Sequence, residues 1–191
     1  MMQAIAPIVS LFLLLNLAQP ITETEKISQL LYDELGVIAY IPETDYPISH
    51  INIEHRITFE NEEIKRGEPY QAHIEYKLEL GERLDEEFKQ IWQEEWPLIE
   101  TVYGDLYMGK TAVNVTVAPG GAGTLIDAEI IEIAGHHVQY QYLEREGDQF
   151  VIMIINFDDV GYYIEYLVQT ETIEEEAKAF AKKIIDFHLQ Q

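Results

Sequence analysis

The 191-residue chain carries 35 acidic against 12 basic side chains, a formal net charge of −23, and no cysteine. The missing cysteine removes thiol catalysis, Cys-ligated zinc, iron–sulfur clusters and disulfides, so an ordinary apolar core must hold the fold. The charge repels phosphate backbones and anionic head groups, which recruit Lys and Arg, and this makes nucleic acid and a bare membrane surface poor partners. Glu outnumbers Asp 26 to 9, beside 25 isoleucines; a solvated acidic surface over an aliphatic interior accounts for that balance.

No charged side chain precedes Glu23, and residues 5–17 (IAPIVSLFLLLNL) are an apolar run. That run is shorter than the roughly 20 residues that span a bilayer comfortably. Ala18 offers a small residue before Gln19. Residues 1–19 are therefore expected to be a signal peptide or an uncleaved N-terminal anchor, and residues 20–191 a single domain outside the cytoplasm.

Helical spacing of Ile27, Leu30, Leu31 and Leu35 predicts a helix over 22–35, ended by Gly36. A short strand is expected over 36–41, before Pro42. Period-two patterning then places Ile51, Ile53, His55, Ile57 and Phe59 on one strand face, and Tyr70, Ala72, Ile74, Tyr76, Leu78 and Leu80 on another. The charged connector between them, with Gly67 and Pro69, suits a hairpin loop. Leu84, Phe88, Ile91, Trp92 and Glu95 form a stripe on a second helix over 84–96, which Pro97 stops. Trp92 and Trp96 share a helix face and are expected to seat it on the sheet.

In the second half, a strand over 111–117 stops at the loop Pro119-Gly120-Gly121-Ala122-Gly123, expected to be a flexible connection. Strands over 126–133, 136–143, 150–157 and 162–168 follow, separated by the turns Gly135, Glu146-Gly147-Asp148 and Asp158-Asp159-Val160-Gly161. Such short links predict a four-strand meander. Thr172 and Glu175 form a capping box for the closing helix, whose stripe is Ile173, Ala177, Phe180, Ala181, Ile184 and Ile185. The fold expected is α+β: one antiparallel sheet of about 7–8 strands with N-terminal, middle and C-terminal helices packed on it.

Chemistry is read mostly by elimination. After the leader only Ser28 and Ser49 remain, neither in G-x-S-x-G, which argues against a serine hydrolase. The 119–123 loop is flanked by strands and opens no helix to cradle a phosphate. His136 and His137 are adjacent in a strand, so they point to opposite faces and do not share a metal. His50 and His55 have the wrong spacing for one face unless the strand is bulged. Asp158-Asp159 lacks the surroundings of a calcium loop. Tyr140, Tyr142, Tyr162, Tyr163 and Tyr166 crowd the last strands, where aromatic pairs stabilise a sheet, whereas an exposed row would suggest binding of a sugar or peptide. Asn114-Val115-Thr116 matches a glycosylation sequon inside a strand. No residue is singled out as catalytic, cofactor-binding or metal-binding, and no cofactor is expected.

The plan of the C-terminal third, with strands over 129–135, 137–143, 150–158 and 162–168 and the helix from Thr172, resembles an uncharacterised extracytoplasmic α+β domain. That domain occurs in Bacillus-type secreted proteins, lipoproteins and anti-sigma-factor ectodomains. The strand before Pro42 and the helix over 84–96 are similar to the PsbP/Mog1-like sandwich family. Either resemblance implies a small bacterial extracytoplasmic domain with no catalytic signature to carry over, and the absent lipobox cysteine departs from the lipoprotein members. The expected function is that of an exported, non-enzymatic cell-envelope domain binding a protein or envelope component, with membrane contact only through an uncleaved N-terminal segment. Two alternatives stay open: a carboxylate-dependent glycan hydrolase and a small-molecule or cation carrier. A deep cleft holding two carboxylates with opposed pKa shifts would favour the enzyme. An apolar patch rimmed by charge would favour the binding module.

Overall fold

Eleven elements follow one another: α1 (Glu23–Leu35), β1 (Ile48–Glu60), β2 (Glu63–Lys77), α2 (Glu86–Glu95), β3 (Ile99–Gly104), β4 (Thr111–Pro119), β5 (Glu129–Ile133), β6 (His136–Arg145), β7 (Asp148–Asn156), β8 (Val160–Leu167) and α3 (Ile173–Leu189). The structure is a computed structural model and describes residues 22–60, 63–169 and 173–191. The apolar run over 5–17 and Thr172 of the expected capping box lie outside the described residues.

The strands form one eight-stranded sheet in the order β3-β1-β2-β4-β8-β7-β6-β5, antiparallel at every pairing. This is the α+β fold anticipated from the sequence, and its last four strands are the expected meander. Turn chemistry fixes that register. Ala134-Gly135 (φ 50° and 80°) and Glu146-Gly147 (φ 57° and 83°) close the β5–β6 and β6–β7 hairpins with both central residues left-handed, the geometry that matches strand twist.

α1 begins at a capping box, in which the Glu25 amide donates to Thr22 Oγ1 (3.2 Å) and the Thr22 amide to Glu25 Oε2 (2.7 Å). It ends at Gly36, whose φ of 72° few other residues would tolerate. All six stripe residues of α3 are buried. They join Ile27 and Leu31 of α1, Ile51, Ile53, Ile74, Tyr76, Val115, Met153, Tyr162 and Ile164 in one core on one face of the sheet.

Four expectations need correction. Residues 36–41 are not a strand: Val37, Ala39 and Ile41 are buried alternately, but the segment runs as a strap, and the Tyr40 amide donates to the Tyr162 hydroxyl (2.9 Å) instead of a neighbouring strand. The sheet's additional edge strand is β3, which the sequence pattern did not reveal. On β1 only Ile51 and Ile53 reach the core. Register shifts between Glu54 and Ile57 carry the hairpin past the helix layer and leave Ile57 and Phe59 exposed. Finally, α2 has no fully buried residue. Trp92 is half-buried and Trp96 exposed, so charge fastens this helix: Lys89 Nζ pairs with Asp105 Oδ1 (2.6 Å), and Arg83 pairs with the same carboxylate.

The glycine loop after β4 is pinned rather than flexible. Asn156 accepts from the Ala122 amide (2.8 Å) and donates to the Gly123 carbonyl (3.0 Å). Further along, the Leu125 amide donates to Gln139 Oε1 (2.7 Å) on the reverse face of the sheet.

Candidate functional site

The reverse face carries a polar ladder at its centre. Asn52, His73, Thr116 and Tyr163 lie in one row across β1, β2, β4 and β8, and His50, Glu75, Asn114 and Glu165 in the next. In the first, His73 Nδ1 meets Thr116 Oγ1 (3.0 Å), and His73 Nε2 meets Glu54 Oε2 (3.1 Å). In the second, His50 Nδ1 lies 3.3 Å from Glu75 Oε2. The buried Lys77 donates to Glu75 Oε1 (3.0 Å) and to the Gly109 carbonyl (3.2 Å). The sequon Asn114 stands mid-strand between Glu75 and Glu165.

Ser49, His50 and Glu75 are together, yet they cannot act as a nucleophilic relay. Both Ser49 Oγ (3.0 Å) and Glu75 Oε2 face the same ring nitrogen of His50, Nδ1, whereas a relay needs the hydroxyl on one nitrogen and the carboxylate on the other. The Ser49 hydroxyl also donates to the Asp105 carbonyl (3.1 Å), and the residue is 1% exposed.

Carboxylate shifts run in one direction. The Thr22 amide and hydroxyl hold Glu25 below its ordinary range, Lys89 does the same for Asp105, and Lys178 for Glu174. Burial works against Glu54, but bonds from Tyr70, His73 and Gln71 leave its carboxyl lowered as well. Glycan hydrolysis by a carboxylate pair needs one member raised as the acid. Glu25, Glu54, Asp105 and Glu174 are all lowered, so none of these four is such an acid.

The remaining sequence candidates are dispersed. His136 Nε2 meets the Asn156 carbonyl (3.1 Å) and its ring lies on Phe157, 4.8 Å between centroids; His137 points away, exposed. Asp158 and Asp159 sit in an exposed turn. Among the described residues, no three His, Asp or Glu side chains gather to hold a metal ion, and no helix is long and apolar enough to cross a membrane. Tyr140, Tyr162 and Tyr166 are buried, Tyr163 faces the reverse side and Tyr142 is exposed, so the five do not form an exposed row.

His188 closes the core at the far end of α3. Its ring stacks on Phe157 at 4.1 Å, and its Nε2 meets the Tyr162 hydroxyl at 2.8 Å. Burial pushes its pKa down, and burial lowers His50 likewise against the pull of Glu75. A depressed folded-state pKa means that the unfolded chain takes up the proton first. Stability is then full above the ordinary histidine value near 6.5 and declines as pH falls through it. Denaturant titrations at about pH 7.5 and about pH 5 should show that loss, and His188→Gln should reduce it, leaving the share of His50. Equal stability at both pH values would mean that neither ring resists protonation.

A group of exposed apolar side chains lies at the β3 side of the molecule. Ile57 (53% exposed), Phe59 (73%) and Ile64 (60%) stand on the β1–β2 hairpin, and Phe88, Ile91 and Trp96 are exposed on α2. Arg66 links the two groups: it donates to the Pro97 carbonyl (2.6 Å), the Ile99 carbonyl (3.1 Å) and Glu100 Oε2 (2.9 Å). Phe59 lies opposite Ile64 in the register and Ile57 opposite Arg66. The sequence contained these residues but assigned Ile57 and Phe59 to the core, because alternation does not say where the covering helices stop.

No family model matches the chain, and neither a curated protein nor a solved structure matches it. Its function is therefore read from this geometry alone.

Proposed function

We propose that the protein is an exported, non-enzymatic bacterial domain that acts at the cell envelope by binding a protein partner. The observation that carries this reading is the apolar end made by Ile57, Phe59, Ile64 and Trp96, rimmed by Arg66, Glu100 and the Lys65–Glu60 pair. Exposed aliphatic and aromatic side chains on a projecting hairpin gain free energy when a partner removes them from water, at roughly 25 cal/mol per Å² of apolar area. A charged rim then sets the orientation of the partner. The apolar run over 5–17 supports delivery outside the cytoplasm, and the acidic surface disfavours nucleic acid.

Photo-crosslinking amino acids placed at Phe59, Ile64 and Trp96 test the surface in intact cells, with Glu144 on β6 as the distant control. A discrete adduct from the first three positions, enriched in the envelope fraction and absent from the control, is expected. Adducts of equal yield at Glu144, or a cytoplasmic product beginning at Met1 or Met2, would remove the proposal.

A further inference from the structure

On the helix side of the sheet, the strap after α1, strand β8 and helix α3 enclose a cleft of about 740 Å³. Glu43, Asp45 and Tyr46 come from the segment between the strap and β1, Tyr166 from β8, and Glu176 and Phe180 from α3. The volume falls within the roughly 300–1,000 Å³ of small-molecule sites. Lys183 also lines it, but its ammonium donates to the Glu43 backbone carbonyl (3.0 Å). The walls thus carry three carboxylates against one ammonium, over a floor of aromatic rings.

Tyr166 distinguishes this cleft from an acidic patch of ordinary surface. It is 3% exposed, and its ring is wedged edge-on against Tyr46 (6.3 Å between centroids) and Phe180 (6.0 Å). No hydrogen bond among the described residues reaches its hydroxyl, and the residue lines the cleft. Burial, then Tyr46, Glu176 and Asp45, raise its pKa, so the group is a neutral hydroxyl that feels the carboxylates around it. Tyr46 is raised by burial and by Glu176 and Asp45 in the same way. The ring is buried, and with no protein partner the hydroxyl at its tip is left to the open cleft, where a ligand can take the place of water at it.

We infer that this cleft binds a small organic cation through a protonated amine. The N–H groups of an ammonium supply donors to the Tyr166 hydroxyl and to the Asp45 and Glu176 carboxylates, and the rings of Tyr46, Tyr166 and Phe180 contact its alkyl part and its charge. A quaternary ammonium brings the same charge without a donor and leaves the hydroxyl unsatisfied. The site is separate from the hairpin surface proposed above and stands or falls without it.

Spermidine is the probe, titrated into the full chain at about 0.15 M salt so that diffuse attraction to the acidic surface is screened, and followed by tyrosine fluorescence and by NMR shifts. Saturable binding is expected. Asp45→Asn and Tyr166→Phe should each weaken it about tenfold, and tetramethylammonium should bind at least tenfold more weakly than butylammonium, an isomeric monocation that keeps its N–H groups. Tyr166→Phe should keep its melting temperature, because it deletes an unpartnered hydroxyl, and this separates lost recognition from lost folding. Glu144→Gln should bind as the parent does. Equal weakening by Glu144→Gln, equal binding of tetramethylammonium and butylammonium, or no saturation by about 10 mM spermidine would each overturn the inference. Loss of the hairpin crosslinks would leave it untouched.

Discussion

Phe180→Ala should destabilise the protein by about 3–5 kcal/mol, the range for a buried aromatic truncated to a methyl group. Phe180 is 3% exposed and meets Tyr76 edge-on at 6.1 Å and Tyr166 at 6.0 Å. Its neighbours have little freedom to refill the space. The Tyr76 hydroxyl is anchored on the Pro42 carbonyl (2.9 Å), and Tyr166 is held by its own strand pairings with Val113 and Val151. The cavity would therefore persist, and the cavity contribution adds to the lost transfer energy. Denaturant titration at constant m-value measures it. A change below about 1 kcal/mol would show that α3 is not seated on the sheet as described. Since Phe180 also floors the amine cleft, the same variant should loosen that site. Tyr166→Phe, which preserves packing, is the substitution that isolates recognition.

The α3 stripe was legible in the sequence because both of its determinants are local. Ile173, Ala177, Phe180, Ala181, Ile184 and Ile185 recur at helical spacing, and the helix lies along a sheet wide enough to cover the whole stripe. The β5–β8 meander was legible for a similar reason, since Gly135 and Gly147 permit the left-handed turns that join its strands. Elsewhere a pattern was present without the partner it implied. Val37, Ala39 and Ile41 alternate because one side of the strap faces the core, and burial alone produces that alternation without any strand pairing. The stripe on α2 is amphipathic, but its apolar residues face solvent, and periodicity cannot tell a core from an interface. β3 pairs with β1 alone, and one partner on one edge imposes little constraint on six residues.

The candidate sites were hidden for another reason. The proposed amine cleft joins Asp45 and Tyr46 to Tyr166 and Glu176, residues far apart in the chain that meet where the segment before β1 lies beside α3. The rows of His50, Glu75, Asn114 and Glu165 on the reverse face depend on the register of four strands. An acidic chain offers too many carboxylates for type or spacing to select these few. Acidity was evident from the sequence, whereas its concentration around the Tyr46, Tyr166 and Phe180 rings is a property of the fold.

Gly161→Ala is the second substitution with a large expected effect, and its cause is close approach rather than backbone conformation. A Cβ at Gly161 would stand 2.1 Å from the Ala122 amide nitrogen, 2.5 Å from the Gly121 carbonyl carbon and 2.6 Å from Asn156 Oδ1. Two of these are backbone atoms and the third belongs to the clamp that holds the loop, so no flexible side chain can move aside. Relief requires the 120–123 loop to lift, which breaks the Ala122–Asn156 and Gly123–Asn156 bonds. Overpacking costs about 1–3 kcal/mol and each of the two lost bonds about 0.5–1.5 kcal/mol, so a loss of about 2–6 kcal/mol is expected. Gly123→Ala supplies the contrast. Gly123 has φ of 86°, but a Cβ there would meet nothing within 4 Å, so only left-handed strain of about 1–2 kcal/mol opposes the change. Chemical denaturation of the two variants separates the causes. If both lose the same amount, the loop does not press on β8, and the contact between Gly161 and Ala122 is not what confines it.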